Sequence, residues 1–381
     1  MHPITIIGSG LAAYTVAREL RKRAAQAPLR LISRDSADFY SKPMLSNALS
    51  KGKTAPSLVN TPAAQMAEEL KAEILARRTV QAIEPGAHAI TVDGELLQYS
   101  ALVLALGSDS LRPVLAGDAA ADILQVNDLD DFHRLEQALA GGPKRVAILG
   151  GGLIGCEFAN DLIGAGHQVR VIDRGAAPLG RLVPQAVGEA LQRALVQAGV
   201  HWHANTEAVS ADRHANGVQI GLRQGGEVQA DIVLSALGLC PRTALAAAAG
   251  LRVARGIVVD DYLQSSAQDV YALGDCAEVD GQVQPFVLPI MHGARALAAT
   301  LSGEPTAVRY PPMPVVVKTP AYPITVLPPA PNTPGEWRVT PRSDGIQAEY
   351  RDHDSGLRGF ALGGGAVAQK NALLKEITGS K

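Results

Sequence analysis

Two glycine-rich hexapeptides constrain this chain more than anything else in it. Gly8-Ser9-Gly10-Leu11-Ala12-Ala13 follows the β-branched run Ile4–Ile7 and opens a helical pattern over 11–24. Gly150-Gly151-Gly152-Leu153-Ile154-Gly155 follows the apolar run Arg145–Leu149 and opens a second helix at Leu153. In a G-x-G-x-x-G/A turn the first glycine permits the tight bend and the second lets the backbone approach a pyrophosphate. The small last residue lets the helix lie close to the strand. The helix start then offers unpaired N–H groups and a positive dipole end to the phosphates. One such hexapeptide is a weak signal, because any tight loop collects glycines; two, each between a strand and a helix, are a strong one. They stand about 140 positions apart, one domain length, so the economical reading is a duplicated dinucleotide-binding unit.

Each unit calls for an acid at the end of its second strand to meet an adenosine ribose. After the second turn that residue is Asp173, closing the strand Gln168–Ile172 about 20 positions on. A carboxylate there accepts from ribose hydroxyls and repels a 2′-phosphate, which favours NADH over NADPH; the adjacent Arg174 could accommodate that phosphate and pulls the other way. After the first turn the strand over 29–33 ends in Ser33 and Arg34, with Asp35 just beyond. The Ser33 hydroxyl, the Arg34 backbone or Asp35 could serve.

The rest of the chain reads coarsely. Residues 39–50 are polar and contain a proline, a loop with a short helix; 66–75 is helical; Ala89–Val92 and 96–99 form a hairpin around Asp93-Gly94. Residues 102–106 and 232–236 are continuous apolar runs of the kind buried on both faces of a parallel sheet, and 223–231 holds a Gly-Gly turn between strands. From Tyr310 prolines crowd the sequence, and no long helical pattern returns until 366–377. Val315–Val317 and 324–326 read as irregular edge strands, within a small C-terminal domain over 306–381.

Composition excludes several functions. With 35 Lys+Arg against 37 Asp+Glu the net charge is −2, without the basic surplus that phosphate-backbone binding needs, so no nucleic-acid partner is expected. Three cysteines, Cys156, Cys240 and Cys276, make neither a disulfide framework nor a zinc cage. They fit a reducing cytoplasm. No secretory leader pattern opens the sequence, and no apolar run approaches the roughly 18 residues of a membrane span. A soluble cytoplasmic protein without a membrane partner is the expectation.

A third element brings in a family. Tyr271-Ala272-Leu273-Gly274-Asp275-Cys276-Ala277 resembles the second FAD signature of the two-dinucleotide-binding flavoproteins, the glutathione reductase-like fold. Residues 102–107 and 233–238, each ending in Leu-Gly, resemble the crossover segments of that family, with Leu in place of the usual Thr or Ile. Within the family the chain most resembles the bacterial rubredoxin reductases. The segments carrying that likeness are 40–46 (Tyr-Ser-Lys-Pro-Met-Leu-Ser), 153–162, the Gly-Asp-Cys-Ala-Glu run at 274–278 and 313–320. Putidaredoxin-type ferredoxin reductases and the reductases serving flavorubredoxin are further relatives. Cys240-Pro241-Arg242 departs from a family that commonly has Arg at its first position, a difference with no expected catalytic consequence.

The resemblance implies an α/β fold with two Rossmann-type domains. The FAD domain would comprise 1–112 and 239–305 and the NAD domain 113–238, with 306–381 a small α+β C-terminal domain. It implies FAD and NADH as cofactors, and rubredoxin or a similar small iron protein as electron acceptor. Alternatives are a ferredoxin acceptor feeding an oxygenase, or a flavoprotein whose reduced state is a redox signal. It implies that Lys42 and Glu157 sit as a pair beside the reacting edge of the flavin, that Asp275 binds the ribitol, and that a backbone amide at Val80 meets adenine. Gly8 to Ala13, Ser33, Arg34, Gly107, Gly274, Val287 and Lys318 complete the implied FAD contacts, and Gly150, Gly152, Gly155 and Asp173 those of NADH. A helix over 290–301, after Pro289, would aim its N-terminus at the flavin, with His292 in its first turn. No cysteine lies in 39–50, where peroxidases and coenzyme A disulfide reductases of this fold carry theirs, so electrons would leave singly from the flavin itself.

Overall fold

Both glycine turns lie between the first strand and first helix of a parallel sheet. The computed structural model describes residues 2–215 and 217–379, in two units that each take discontinuous stretches of chain. Helix α1 (Leu11–Arg23) follows the first turn, α2 (Leu153–Gly164) follows the second, and α3 (Val287–Leu301) comes late in the chain.

The first unit is Met1–Lys42, Pro56–Asp109 and Leu239–Pro311. Its sheet runs in the order Val270–Ala272, Ala101–Leu104, Ile4–Ile7, Leu29–Ile32, Glu73–Leu75, every neighbour parallel. Ile6, Leu31, Leu102 and Val103 are completely buried, as expected of strands covered on both faces. Helices α1 and α3 pack on each other through small buried residues, Ala13 and Ala17 on one and Ala294 and Ala298 on the other. The hairpin of Ala89–Val92 with Glu95–Gln98 turns on Asp93 (φ 48°) and Gly94 (φ 86°), the left-handed pair of a tight two-residue connection.

Two sequence expectations are corrected here. The helix expected over 66–75 is Ala63–Leu70, and Glu73–Leu75 is the outer strand of the sheet. Lys71 adopts a left-handed conformation and the Ala72 N–H turns back to the Ala67 carbonyl at 3.0 Å, ending the helix without the glycine that usually marks such a stop. The second concerns α3, which begins at Val287, ahead of Pro289. Proline is harmless there because the first-turn N–H groups have no intrahelical acceptor. His292 therefore falls in the second turn, not the first.

The second unit is Pro43–Ala55, Ser110–Gly238 and Pro312–Lys381. Its parallel sheet runs His201–His203, Gln168–Ile172, Arg145–Leu149, Ile232–Ser235. A three-stranded antiparallel layer follows, in which the Gly225-Gly226 turn joins Gly217–Leu222 to Glu227–Ala230. The C-terminal stretch is an antiparallel sheet in the order Val315–Val317, Ile324–Leu327, Leu357–Gly364, Gly345–Arg351, Glu336–Arg342. Helix Lys370–Gly379 sets Leu373 into its core beside Leu357, Phe360 and Leu362. Val315–Val317 is an edge strand as expected, but Ile324–Leu327 is paired on both sides. The prolines around it lie outside its ladder, so they do not confine it to the rim.

Candidate active site

The two glycine turns share one geometry. Gly10 and Gly152, each just before its helix, have φ −75° and ψ −173°, and Gly8 and Gly150 have φ 126° and 108°. A β-carbon on Gly8 would lie 2.3 Å from the Ala105 carbonyl oxygen, and one on Gly155 2.0 Å from that of Gly150. The first turn is therefore pressed against a neighbouring strand end, and α2 is drawn hard against its own turn. A β-carbon on Gly10 or Gly152 would meet nothing within 4 Å, so each turn keeps open space over the second glycine. Neither α1 nor α2 has a side-chain cap or an acid in its first turn, unlike helix Leu129–Leu139, which Asp128 caps. An open cradle over bare N–H groups fits the pyrophosphate of a dinucleotide. In the first turn the helix begins with Leu11, Ala12 and Ala13, all free of bulky polar groups.

In the first unit the strand end beside the turn is a hydroxyl–carboxylate cluster. Asp35 Oδ1 accepts from Ser33 Oγ at 2.5 Å, Ser9 Oγ at 2.8 Å and the Ala37 N–H at 2.9 Å. The structure thus gathers Ser9, Ser33 and Asp35 at one point, while the Arg34 guanidinium reaches out to Asp109 at 3.6 Å. Gly274 has φ 78°, and a β-carbon there would touch Ala12 at 3.0 Å; the Gly-Asp turn is pressed against the start of α1. Asp275 accepts from Ser108 Oγ at 2.9 Å and has Lys42 Nζ 4.0 Å away. Gly107 (φ 70°) is held by Arg242, whose N–H donates to its carbonyl and whose guanidinium donates to Leu106 O and Asp109. Val80 begins the strand Val80–Glu84 and pairs with Val92, and Val287 is the exposed first residue of α3.

In the second unit Asp173 closes its strand with Oδ2 against Gly151, close enough that a β-carbon there would sit 2.4 Å from it. Glu157, on α2, is only 2% exposed. A buried carboxylate needs partners for both oxygens. The Lys318 N–H donates to Oε1 at 2.9 Å, and Lys318 Nζ and Ser46 Oγ donate to Oε2 at 2.9 and 2.5 Å. Lys318 Nζ also donates to the Pro43 carbonyl. Asp161, one turn along α2, accepts from the N–H groups of Leu49 and Ser50 and from Ser50 Oγ, which ties the segment Pro43–Ala55 to that helix. Cys156 and Cys276 are buried and Cys240 is exposed, all three as free thiols. Burial pushes the Cys276 thiol up to about 11 and raises Cys156 as well, so neither is a nucleophilic thiolate near neutral pH.

Sequence reasoning missed Ser46, Ser108 and Arg242. Ser108 follows Gly107 directly, Ser46 ends the 40–46 motif and Arg242 ends the Cys240-Pro241-Arg242 segment, so position beside a motif was the available signal for all three.

Residues 2–298 match the family model described as pyridine nucleotide-disulphide oxidoreductase. The chain belongs to that family. It is an oxidoreductase of the glutathione reductase-like class, the α/β fold the two turns imply. Residues 307–377 match a rubredoxin binding C-terminal domain. Two curated relatives run the full length. The rubredoxin-NAD(+) reductase of Acinetobacter baylyi is 46% identical over 384 residues, covering 99% of this chain and 98% of the relative. That of Alcanivorax borkumensis is 44% identical over 378 residues, covering 99% of both. The structure of NADH:rubredoxin oxidoreductase from Clostridium acetobutylicum has a TM-score of 0.82 at 20% identity, covering 100% of this chain and 96% of that one. At that identity the likeness is one of fold. Among the described residues no helix is long and apolar enough to cross a membrane, and no group of three His, Cys, Asp or Glu side chains could hold a metal ion.

Proposed function

We propose that this chain is an FAD-containing oxidoreductase that takes electrons from NADH and passes them to rubredoxin in the cytoplasm. The observation that carries the reading as far as rubredoxin is the rubredoxin binding match over 307–377, on a chain whose full-length relatives are rubredoxin reductases. When bound, FAD supplies the step from a two-electron donor to a one-electron acceptor. The protein supplies position and charge.

In this reading the first turn, Gly8 to Ala13, receives the FAD pyrophosphate, Ser33 and Arg34 stand at the adenosine ribose, and Val80 meets the adenine. Gly107, Gly274 and Val287 shape the rest of the cleft, and Asp275, steadied by Ser108, binds the ribitol. Lys42, beside Asp275, and Glu157, held by Lys318, are each assigned to the reacting edge of the flavin. Lys318 has a further part: its main chain and side chain together hold both oxygens of Glu157, so the C-terminal sheet fixes the orientation of that carboxylate. Gly150, Gly152 and Gly155 receive the pyrophosphate of NADH and Asp173 its ribose. The division into an FAD domain (1–112 and 239–305), an NAD domain (113–238) and a C-terminal domain (306–381) is part of the same reading. Three free thiols, two of them buried, support the cytoplasmic placement.

The test is an anaerobic stopped-flow mix of NADH-reduced enzyme with oxidised rubredoxin, with a plant-type ferredoxin in parallel. Rapid reduction of rubredoxin alone is the expected result. Rapid reduction of ferredoxin alone would move the acceptor to the iron–sulfur class, and transfer to neither would overturn the electron-carrier reading.

A further inference from the structure

Beyond Asp173, the second unit holds two arginines within reach of one acid. Arg174 immediately follows Asp173, and its Nε lies 3.8 Å from Glu207 Oε2; Arg223 donates to Glu207 Oε1. The backbone fixes that arrangement to the strand end. The Thr206 N–H donates to the Asp173 carbonyl at 3.0 Å, the Asn205 N–H to the Gly175 carbonyl at 3.1 Å, and the Arg223 N–H to the Glu207 carbonyl at 3.0 Å. Glu207 is thus one residue from a peptide bonded directly to the residue that faces the second glycine turn. Both guanidinium groups are mostly exposed, at 70% for Arg174 and 63% for Arg223, while Glu207 is at 31%.

Two exposed arginines beside the ribose end of a dinucleotide turn are the chemistry that recognises a 2′-phosphate. Here one carboxylate occupies both of them. We propose that Glu207 is a specificity-determining residue: it withholds Arg174 and Arg223 from a 2′-phosphate and, with Asp173, sets the preference for NADH over NADPH. Asp173 acts by repelling the phosphate at the ribose. Glu207 acts through the arginines, and removing its charge releases two cations at once. This explains how Arg174 can follow Asp173 without undoing the selectivity that Asp173 confers. The inference rests on the reading of the second turn as the NADH site.

Calorimetric titration of the purified FAD-loaded enzyme tests it, with ADP-ribose and 2′-phospho-ADP-ribose as probes, neither of which undergoes hydride transfer. In Glu207→Gln the ratio of the two affinities should shift toward the 2′-phosphate by about fivefold, the upper range for one exposed charge pair. Adding both Arg174→Ala and Arg223→Ala to Glu207→Gln should erase most of that gain, which a merely structural role for Glu207 would not predict. An unchanged ratio in Glu207→Gln, or a gain that persists without both arginines, would overturn the role of Glu207 and leave the coenzyme site standing. Failure of ADP-ribose to bind any of these proteins would overturn the coenzyme site and the inference together.

Discussion

At Gly155 one β-carbon decides how closely a helix can approach a strand. The equivalent place in the first turn is Ala13, so that turn already accommodates a methyl group; the second does not, because the Gly150 oxygen would stand 2.0 Å from it. Gly155→Ala is therefore expected to widen the second turn alone, costing about 1–3 kcal/mol of strain. Its NADH affinity should fall while FAD stays bound, which titration of the coenzyme against the retained flavin absorbance would read. Lys42→Ala should slow reduction of the flavin by NADH without releasing FAD, and stopped-flow reduction at undiminished rate would remove Lys42 from the reacting edge. Glycines and strand-end acids were legible in the sequence because their task is set by the backbone within a few residues. Ser46, Ser108 and Arg242 were not, because their partners Glu157, Asp275 and Leu106 lie 111, 167 and 136 positions away.

Among the elements, the strand Val315–Val317 matters most for what immediately follows it. Lys318 closes over Glu157 with two donors, and truncating it leaves a carboxylate at 2% exposure with Ser46 and one peptide N–H for company. Breaking a buried pair by removing one partner usually costs 3–5 kcal/mol. With those two donors retained and the Lys318 side chain 31% exposed, about 2–3 kcal/mol is expected for Lys318→Ala. The urea midpoint would report it, and Lys318→Arg should recover part of the loss. The elements around the two glycine turns were readable from periodicity, including both Rossmann-type openings, as was the hairpin at Asp93-Gly94. Two misread boundaries share a cause. Helix Ala63–Leu70 stops at a left-handed lysine, and α3 starts ahead of its proline. In each case the backbone does something the local residues permit without announcing it.

For the molecule as a whole, two buried thiols make stability depend on pH in one direction. Burial raises Cys276 from 9.0 to about 11 and raises Cys156 too. The folded chain thus keeps protons that the unfolded chain releases above its ordinary thiol pKa. Stability gains nothing below about pH 9 and declines above it, by about 1.4 kcal/mol per pH unit for each thiol. For Cys276 the decline spans pH 9.0 to about 11. Urea unfolding at pH 8 and pH 10 should show the fall, and Cys276→Ser should lessen it; an equal fall in that variant would exclude the thiol. A net charge of −2 means any charge steering of the iron protein comes from a local patch. The rate of electron transfer to rubredoxin should then drop several-fold when salt shortens the Debye length from about 10 Å to about 3 Å. A flat profile would argue for docking without charge steering. Architecture was legible at this scale through the repeated turns, but the passage of Pro43–Ala55 into the second unit was not, because Asp161 holds it from 111 positions away.

That interleaving sets a timetable for synthesis. The first unit begins its sheet with Ile4–Ile7 yet finishes it with Val270–Ala272, beside Ala101–Leu104. From Leu104 to Val270 is 270 − 104 = 166 positions, roughly 8–33 s of translation at about 5–20 residues per second. The second unit can complete its parallel sheet, Arg145 to Ser235, within that interval. The unit that starts second is thus the first able to close its parallel sheet. Meanwhile Ala101–Leu104 leaves the ribosome as an apolar strand with one edge open to pairing with another chain until Val270–Ala272 arrives.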